Sequence, residues 1–198
     1  MVIGKTGIAG PVVLSACMAM VLGCGGKDLH STPVITGFNP AQAEVGKTVK
    51  ITGWAFKDVS FVSFNGAPAA SYNVDSDTQI SAVVPSNACS GPVEVENTAG
   101  NASSPTSFYV TPVITSISPT SVAVADLPAV VTLTGSGFFD ASAVTIGSLA
   151  VTFTYIDPNH LTLVVPITAT ASSSGAVTLA TTTTPALSCT GPLLTVTP

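Results

Sequence analysis

The chain has 198 residues, 46% of them hydrophobic and 8% charged, with 17 Gly and 15 Pro. A mean hydropathy of +0.59 excludes an intrinsically disordered chain, which needs low hydrophobicity and high charge, and the length admits one or two domains. The basic residues are all lysine (Lys5, Lys27, Lys47, Lys50 and Lys57), and ten carboxylates bring the net charge to -5. A surface so poor in cations has little to neutralise phosphates with, which excludes nucleic acid as a partner.

Residues 1–23 read as an export signal. Lys5 forms a short basic start, and an uncharged apolar run follows from Gly7 to Gly23. That run approaches the roughly 18 residues of a membrane span, so an uncleaved anchor helix is the alternative, although Pro11 and several glycines make it a poor helix. The run stops at Val21-Leu22-Gly23-Cys24, before Gly25-Gly26-Lys27-Asp28. This resembles a bacterial lipobox, which implies that Cys24 is acylated and becomes the mature N-terminus. Leu14-Ser15-Ala16-Cys17 is a second match. Cleavage there leaves an apolar stub, Met18 to Leu22, and three thiols, whereas cleavage before Cys24 leaves an even pair, Cys89 and Cys189. The expectation is a signal over 1–23, a lipidated Cys24 with a tether over 24–32, and attachment to the membrane through acyl chains. Gly25, in place of an Asp, points to the outer membrane if the cell is Gram-negative.

The rest of the chain repeats itself. Pro33-Val34-Ile35-Thr36-Gly37-Phe38-Asn39-Pro40 recurs as Pro112-Val113-Ile114-Thr115-Ser116-Ile117-Ser118-Pro119. Val49-Lys50-Ile51-Thr52-Gly53-Trp54-Ala55-Phe56 matches Val131-Thr132-Leu133-Thr134-Gly135-Ser136-Gly137-Phe138. A third block, Asp77 to Pro85, matches Pro158 to Pro166. Apolar residues alternate with polar ones at Val49/Ile51, Val131/Leu133, Val93/Val95 and Val177/Leu179, the period of half-buried strands. Gly, Pro, Asn and Asp separate these runs at the spacing of a β-sandwich. The expected fold is all-β: two tandem sandwiches over 33–111 and 112–198, each of seven strands.

These blocks resemble the IPT/TIG family of immunoglobulin-like domains, through P-x-I-x-x-x-x-P, T-G-x-x-F, and a strand ending in Val-Pro before Gly-x-Val. The first copy departs from the second at Trp54 and Ala55, where the second has Ser136 and Gly137; Ala55 leaves the geometry of that bend open. Such domains serve in transcription factors, receptors, starch-acting enzymes and bacterial envelope proteins, so the family does not fix a function.

Catalysis needs a nucleophile, a base and a group to orient the base. His30 lies in the tether. His160 stands near Asp157 in Asp157-Pro158-Asn159-His160, where Asx-turn chemistry is the alternative to a catalytic pair. Asp75 and Asp77 lack the further oxygens of a calcium loop, and Cys and His are too dispersed for zinc. No catalytic residue, metal site or cofactor is expected. The candidate binding residue is Trp54, the one tryptophan, either stacking on a sugar or partner or packing over the sandwich end. Residues 158–198 carry no Asp, Glu, Lys or Arg and include Thr181-Thr182-Thr183-Thr184, read as a neutral loop and strand or as an unguarded edge.

Alternating strand directions bring Cys89 and Cys189 to the junction of the two sandwiches, each just before a strand. A disulfide between them is a candidate, with two buried free thiols or a disulfide to another chain as the alternatives. Together these observations describe a non-catalytic, lipid-anchored cell-envelope protein, a structural or adhesive module for protein or polysaccharide. The alternative is an accessory subunit of a surface enzyme or secretion complex.

Overall fold

The computed structural model describes residues 31–198. The leader, Cys17, Cys24, His30 and the tether up to residue 30 lie outside the described residues.

The first sandwich contains nine strands: β1 (Val34–Asn39), β2 (Gln42–Ala43), β3 (Thr48–Trp54), β4 (Val59–Phe64), β5 (Ala67–Pro68), β6 (Ser71–Ser76), β7 (Gln79–Val83), β8 (Gly91–Asn97) and β9 (Gly100–Val110). The second contains eight: β10 (Val113–Ser118), β11 (Ser121–Ala123), β12 (Ala129–Ser136), β13 (Ala141–Ile146), β14 (Leu149–Asp157), β15 (His160–Val165), β16 (Gly175–Thr181) and β17 (Ser188–Thr197). Seven strands per sandwich emerge once β1/β2, β5/β6 and β10/β11 are each taken as one strand that changes sheet. The first sandwich has the sheets β1-β3-β7-β6 and β2-β9-β8-β4-β5. In the second, β14 pairs with both β15 and β13, so the order runs through as β10-β12-β15-β14-β13-β16-β17-β11. The short β2 and β11 pair parallel with the closing strands β9 and β17.

Each sandwich has its own core. Val49, Ile51, Phe56, Phe64, Ile80, Val93, Val95 and Phe108 are fully buried in the first, and Val131, Leu133, Phe138, Ile146, Leu161, Leu163, Val177 and Leu179 in the second. The alternation read from sequence puts these residues inward, and burying one such side chain contributes about 1.5–3 kcal/mol. Asn97, also buried, closes the outer end of the first core. It donates to the carbonyls of Ser31 at 2.9 Å and Ala55 at 3.1 Å, and accepts from the amides of Ala99 and Gly100.

The repeated T-G-x-x-F block has one steric cause. A Cβ on Gly53 would stand 1.9 Å from the Val34 carbonyl oxygen and 2.6 Å from the Phe56 ring; on Gly135 it would stand 1.9 Å from the Val113 oxygen and 2.5 Å from the Phe138 ring. Only glycine lets the phenylalanine fold back beneath the strand pair. Both first strands shift register beside it, between Ile35 and Gly37 and between Ile114 and Ser116. The third block docks on the second identically in both copies. The Gly53 and Phe56 amides donate to the carbonyls of Thr78 and Asp77, and those of Gly135 and Phe138 to Asn159 and Pro158. The bend left open at Ala55 is the same in both copies, left-handed with φ 60° at Ala55 and 70° at Gly137.

Left-handed backbone costs a residue with a Cβ about 1–2 kcal/mol that glycine does not pay. Ala55→Gly is therefore expected to stabilise the first sandwich by about 1 kcal/mol. Gly135→Ala should destabilise the second by about 2–4 kcal/mol, because the added methyl meets backbone rather than a mobile side chain. Urea unfolding followed by circular dichroism checks both; an unchanged midpoint for Gly135→Ala would mean the strands have room to part.

Candidate functional site

Trp54 ends β3 and points out of the sandwich. Along that strand Val49 and Ile51 are buried, while Thr48, Lys50, Thr52 and Trp54 are exposed, the tryptophan by 52%. The alternation therefore places the tryptophan on the outer face of the sheet β1-β3-β7-β6, at the end of β3.

Register defines the rest of that face. Lys50 lies opposite Ser81, and Ser81 opposite Asn73; Thr52 lies opposite Gln79. A bulge between Val74 and Ser76 displaces Asp75 and turns its carboxylate towards these neighbours. Oδ1 accepts from Asn73 Nδ2 at 2.7 Å, and Oδ2 accepts from Gln79 Nε2 at 2.9 Å and Ser81 Oγ at 2.6 Å. The hydroxyl of Ser81, the amides of Gln79 and Asn73, and the charge of Lys50 hold the Asp75 carboxyl down to about 2. Thr52 donates to the Gly37 carbonyl and Thr36 to the Thr52 carbonyl, which fixes the β1 side of the face.

The two aspartates considered for calcium do not converge. Asp75 is occupied as described, and Asp77 Oδ1 accepts the Lys57 amide at 3.1 Å. No group of three or more metal-binding side chains occurs among the described residues. His160 Nδ1 lies 3.0 and 2.9 Å from the two Asp157 oxygens, while Asp157 Oδ1 also accepts the Asn159 amide at 2.7 Å. That amide first, and then His160, lower the Asp157 pKa. This is an Asx turn closing the β14–β15 hairpin, and its carbonyls support Gly135 and Phe138.

The junction is built from polar contacts between the sandwiches. The Ser90 amide donates to Asp140 Oδ2 at 3.1 Å, and the Tyr109 hydroxyl donates to the Thr184 carbonyl. Around Gly137 the chain packs on Val110, Thr111 and Pro112. The threonine run is part of this contact and not an unguarded edge: Thr181 is buried, and β16 lies between β13 and β17. Ser90 also accepts the Val110 amide, as Ser174 accepts that of Val196 in the second sandwich.

Cys89 and Cys189 are both half-buried and unbonded. Cys89 Sγ accepts from Asn65 Nδ2 at 3.1 Å, whereas Cys189 packs against the core of the second sandwich. Cys189 is also inside β17, opposite Leu179, and not ahead of the strand as the sequence suggested. Burial raises the Cys189 pKa.

These geometries define a pair of immunoglobulin-like sandwiches, and the family follows from the repeats. The IPT/TIG domain matches residues 33–110 and 112–194, and the chain belongs to this family. No curated protein matches it. Among solved structures, the surface glycan-binding protein PbSGBP-B from Prevotella bryantii is 19% identical with a TM-score of 0.52, over 82% of this chain and 42% of that one. SGBP-B from a complex xyloglucan utilization locus in Bacteroides uniformis is 24% identical with a TM-score of 0.33, over 80% and 48%. The γ-CGTase from alkalophilic Bacillus clarkii is 16% identical with a TM-score of 0.36, over 81% and 24%. The chain thus spans less than half the length of each.

An Asp75 carboxyl held by three donors contributes stability that is present above its unfolded value near 3.8 and lost as pH falls towards 2. Carbon-detected NMR should titrate it with a midpoint of about 2; a midpoint near 4 would mean that the donors do not engage it. Iodoacetamide should alkylate Cys89 before Cys189, whose burial disfavours the thiolate. Equal rates would contradict the buried setting of Cys189, and protection of both until reduction would reveal the bridge.

Proposed function

We propose that this chain is a non-catalytic, lipid-anchored protein of the bacterial cell envelope that binds polysaccharide outside the membrane. In this reading residues 1–23 are removed, Cys24 carries the acyl chains, residues 24–32 form the tether, and two domains over 33–111 and 112–198 stand beyond it. The anchor lies in the outer membrane if the cell is Gram-negative. The observation that carries the reading is Trp54, half-exposed on an outer face of polar side chains, because an exposed aromatic ring offers an apolar surface on which a sugar can stack. The fold shared with the Prevotella bryantii surface glycan-binding protein agrees with it. So does the commitment of His160 and Asp157 to a turn, which leaves that pair a structural task.

The anchor is tested by intact mass of the protein taken from its own host. The expected species begins at Cys24 and carries added acyl mass. A species beginning at Met1 would overturn the lipoprotein assignment and the location that depends on it.

A further inference from the structure

The strand groups β1-β3-β7-β6 and β10-β12-β15-β14 share register and even the bulge, so each is a control for what the other's surface needs merely in order to fold. On the outer face of β10-β12-β15-β14, Thr132 lies opposite Thr162 and Thr162 opposite Thr154; Thr134 lies opposite His160; the bulged residue is Ile156. These positions correspond, in order, to Lys50, Ser81, Asn73, Thr52, Gln79 and Asp75 in the first sandwich. Ser136 corresponds to Trp54. Threonine and other β-branched residues are what a strand surface ordinarily carries. The first sandwich replaces them with a tryptophan, two amides, a carboxylate and a lysine, none of which the sheet requires.

We infer that the outer face of β1-β3-β7-β6 is a glycan-binding site, which takes a stretch of neutral polysaccharide with Trp54 as the stacking platform and Gln79, Asn73 and Asp75 as the hydrogen-bonding row. The proposal rests on the polysaccharide reading above and gives it a location. From β3 to β6 is two strand spacings, roughly 10 Å at about 4.8 Å each, which suits a short run of sugar units rather than one ring. The row is fixed in advance. The Asp75 carboxylate holds one amide hydrogen of Asn73 and one of Gln79, leaving each side chain its carbonyl oxygen and a second N–H for ligand hydroxyls. Fixed side chains lose little rotamer freedom on binding. Charge selects a neutral chain: an ionised Asp75 on the face and a net charge of -5 disfavour uronic-acid polymers, and the charge of Lys50 is directed at Asp75.

The test is affinity electrophoresis and calorimetry of the full chain against mixed-linkage β-glucan, xyloglucan, soluble starch and polygalacturonate. Two variants accompany it: Trp54→Ala, and the triple exchange Asn73→Thr, Asp75→Ile, Gln79→His, which installs the residues that the second sandwich carries at the same register. Circular dichroism checks that both remain folded. The expected result is binding of at least one neutral polymer by the unmodified chain, weakened tenfold or more by each variant, with polygalacturonate not retained. If the unmodified chain binds a neutral polymer and both variants bind equally well, the site is elsewhere and this inference falls while the polysaccharide reading stands. If the unmodified chain binds none of the four, both fall. Preferential binding of polygalacturonate would overturn the assignment to a neutral ligand.

Discussion

The ring of Phe56 lies so close beneath Gly53, and that of Phe138 beneath Gly135, that a single methyl group on either glycine would collide with both the ring and a carbonyl of the neighbouring strand. From this contact the rest of each sandwich follows. The phenylalanine is fully buried in the core, and the first strand shifts register to pass the glycine. The chain then reverses through a left-handed residue, and the amides freed at the glycine and phenylalanine are taken up by the turn before β7 or β15. Because the strand alternates, a residue directly after the inward glycine must face solvent. Trp54 is exposed because Gly53 turns inward against Phe56.

The same logic explains how the two sandwiches meet. The left-handed Gly137 and the Asp140 that follows Phe138 present the near end of the second sandwich to the far end of the first. There the Ser90 amide and Tyr109 hydroxyl meet Asp140 and Thr184. Each contact uses a group close to one that closes its own sandwich: Ser90 latches β9 and Thr184 follows the buried Thr181 network. The angle between the domains is therefore tied to elements that the cores already hold rigid, and no bond between Cys89 and Cys189 is needed for the contact to form.

Much of this was legible from sequence. The repeated blocks and the alternation at Val49/Ile51 and Val131/Leu133 specify two β-sandwiches, because a period of two has one structural meaning. The places where strands change sheet were not legible, since β2, β5 and β11 are two or three residues long and too short to show a period. Cys189 read as a loop residue because Ser188-Cys189-Thr190-Gly191-Pro192 has no apolar alternation; pairing with β16 draws it into β17 all the same. Trp54 was visible as the odd residue of its repeat. The row that accompanies it was not: Asn73, Asp75, Gln79 and Ser81 come from two strands, and only the bulge at Asp75 brings the carboxylate within reach of three donors.

Comparison of the repeats separates what the fold needs from what it merely tolerates. Gly53 and Phe56 recur because the core cannot be built without them, whereas Lys50, Trp54, Asn73, Asp75 and Gln79 are replaced by chemically unlike residues at the equivalent positions of β12, β14 and β15. Trp54 is the one tryptophan of the chain, so intrinsic fluorescence during titration with mixed-linkage β-glucan and xyloglucan reports on this face without modification of the protein. A saturable blue shift or quenching with either polymer, and none with polygalacturonate, is the result the account predicts. An emission spectrum unchanged by a polymer that the protein demonstrably binds would contradict it.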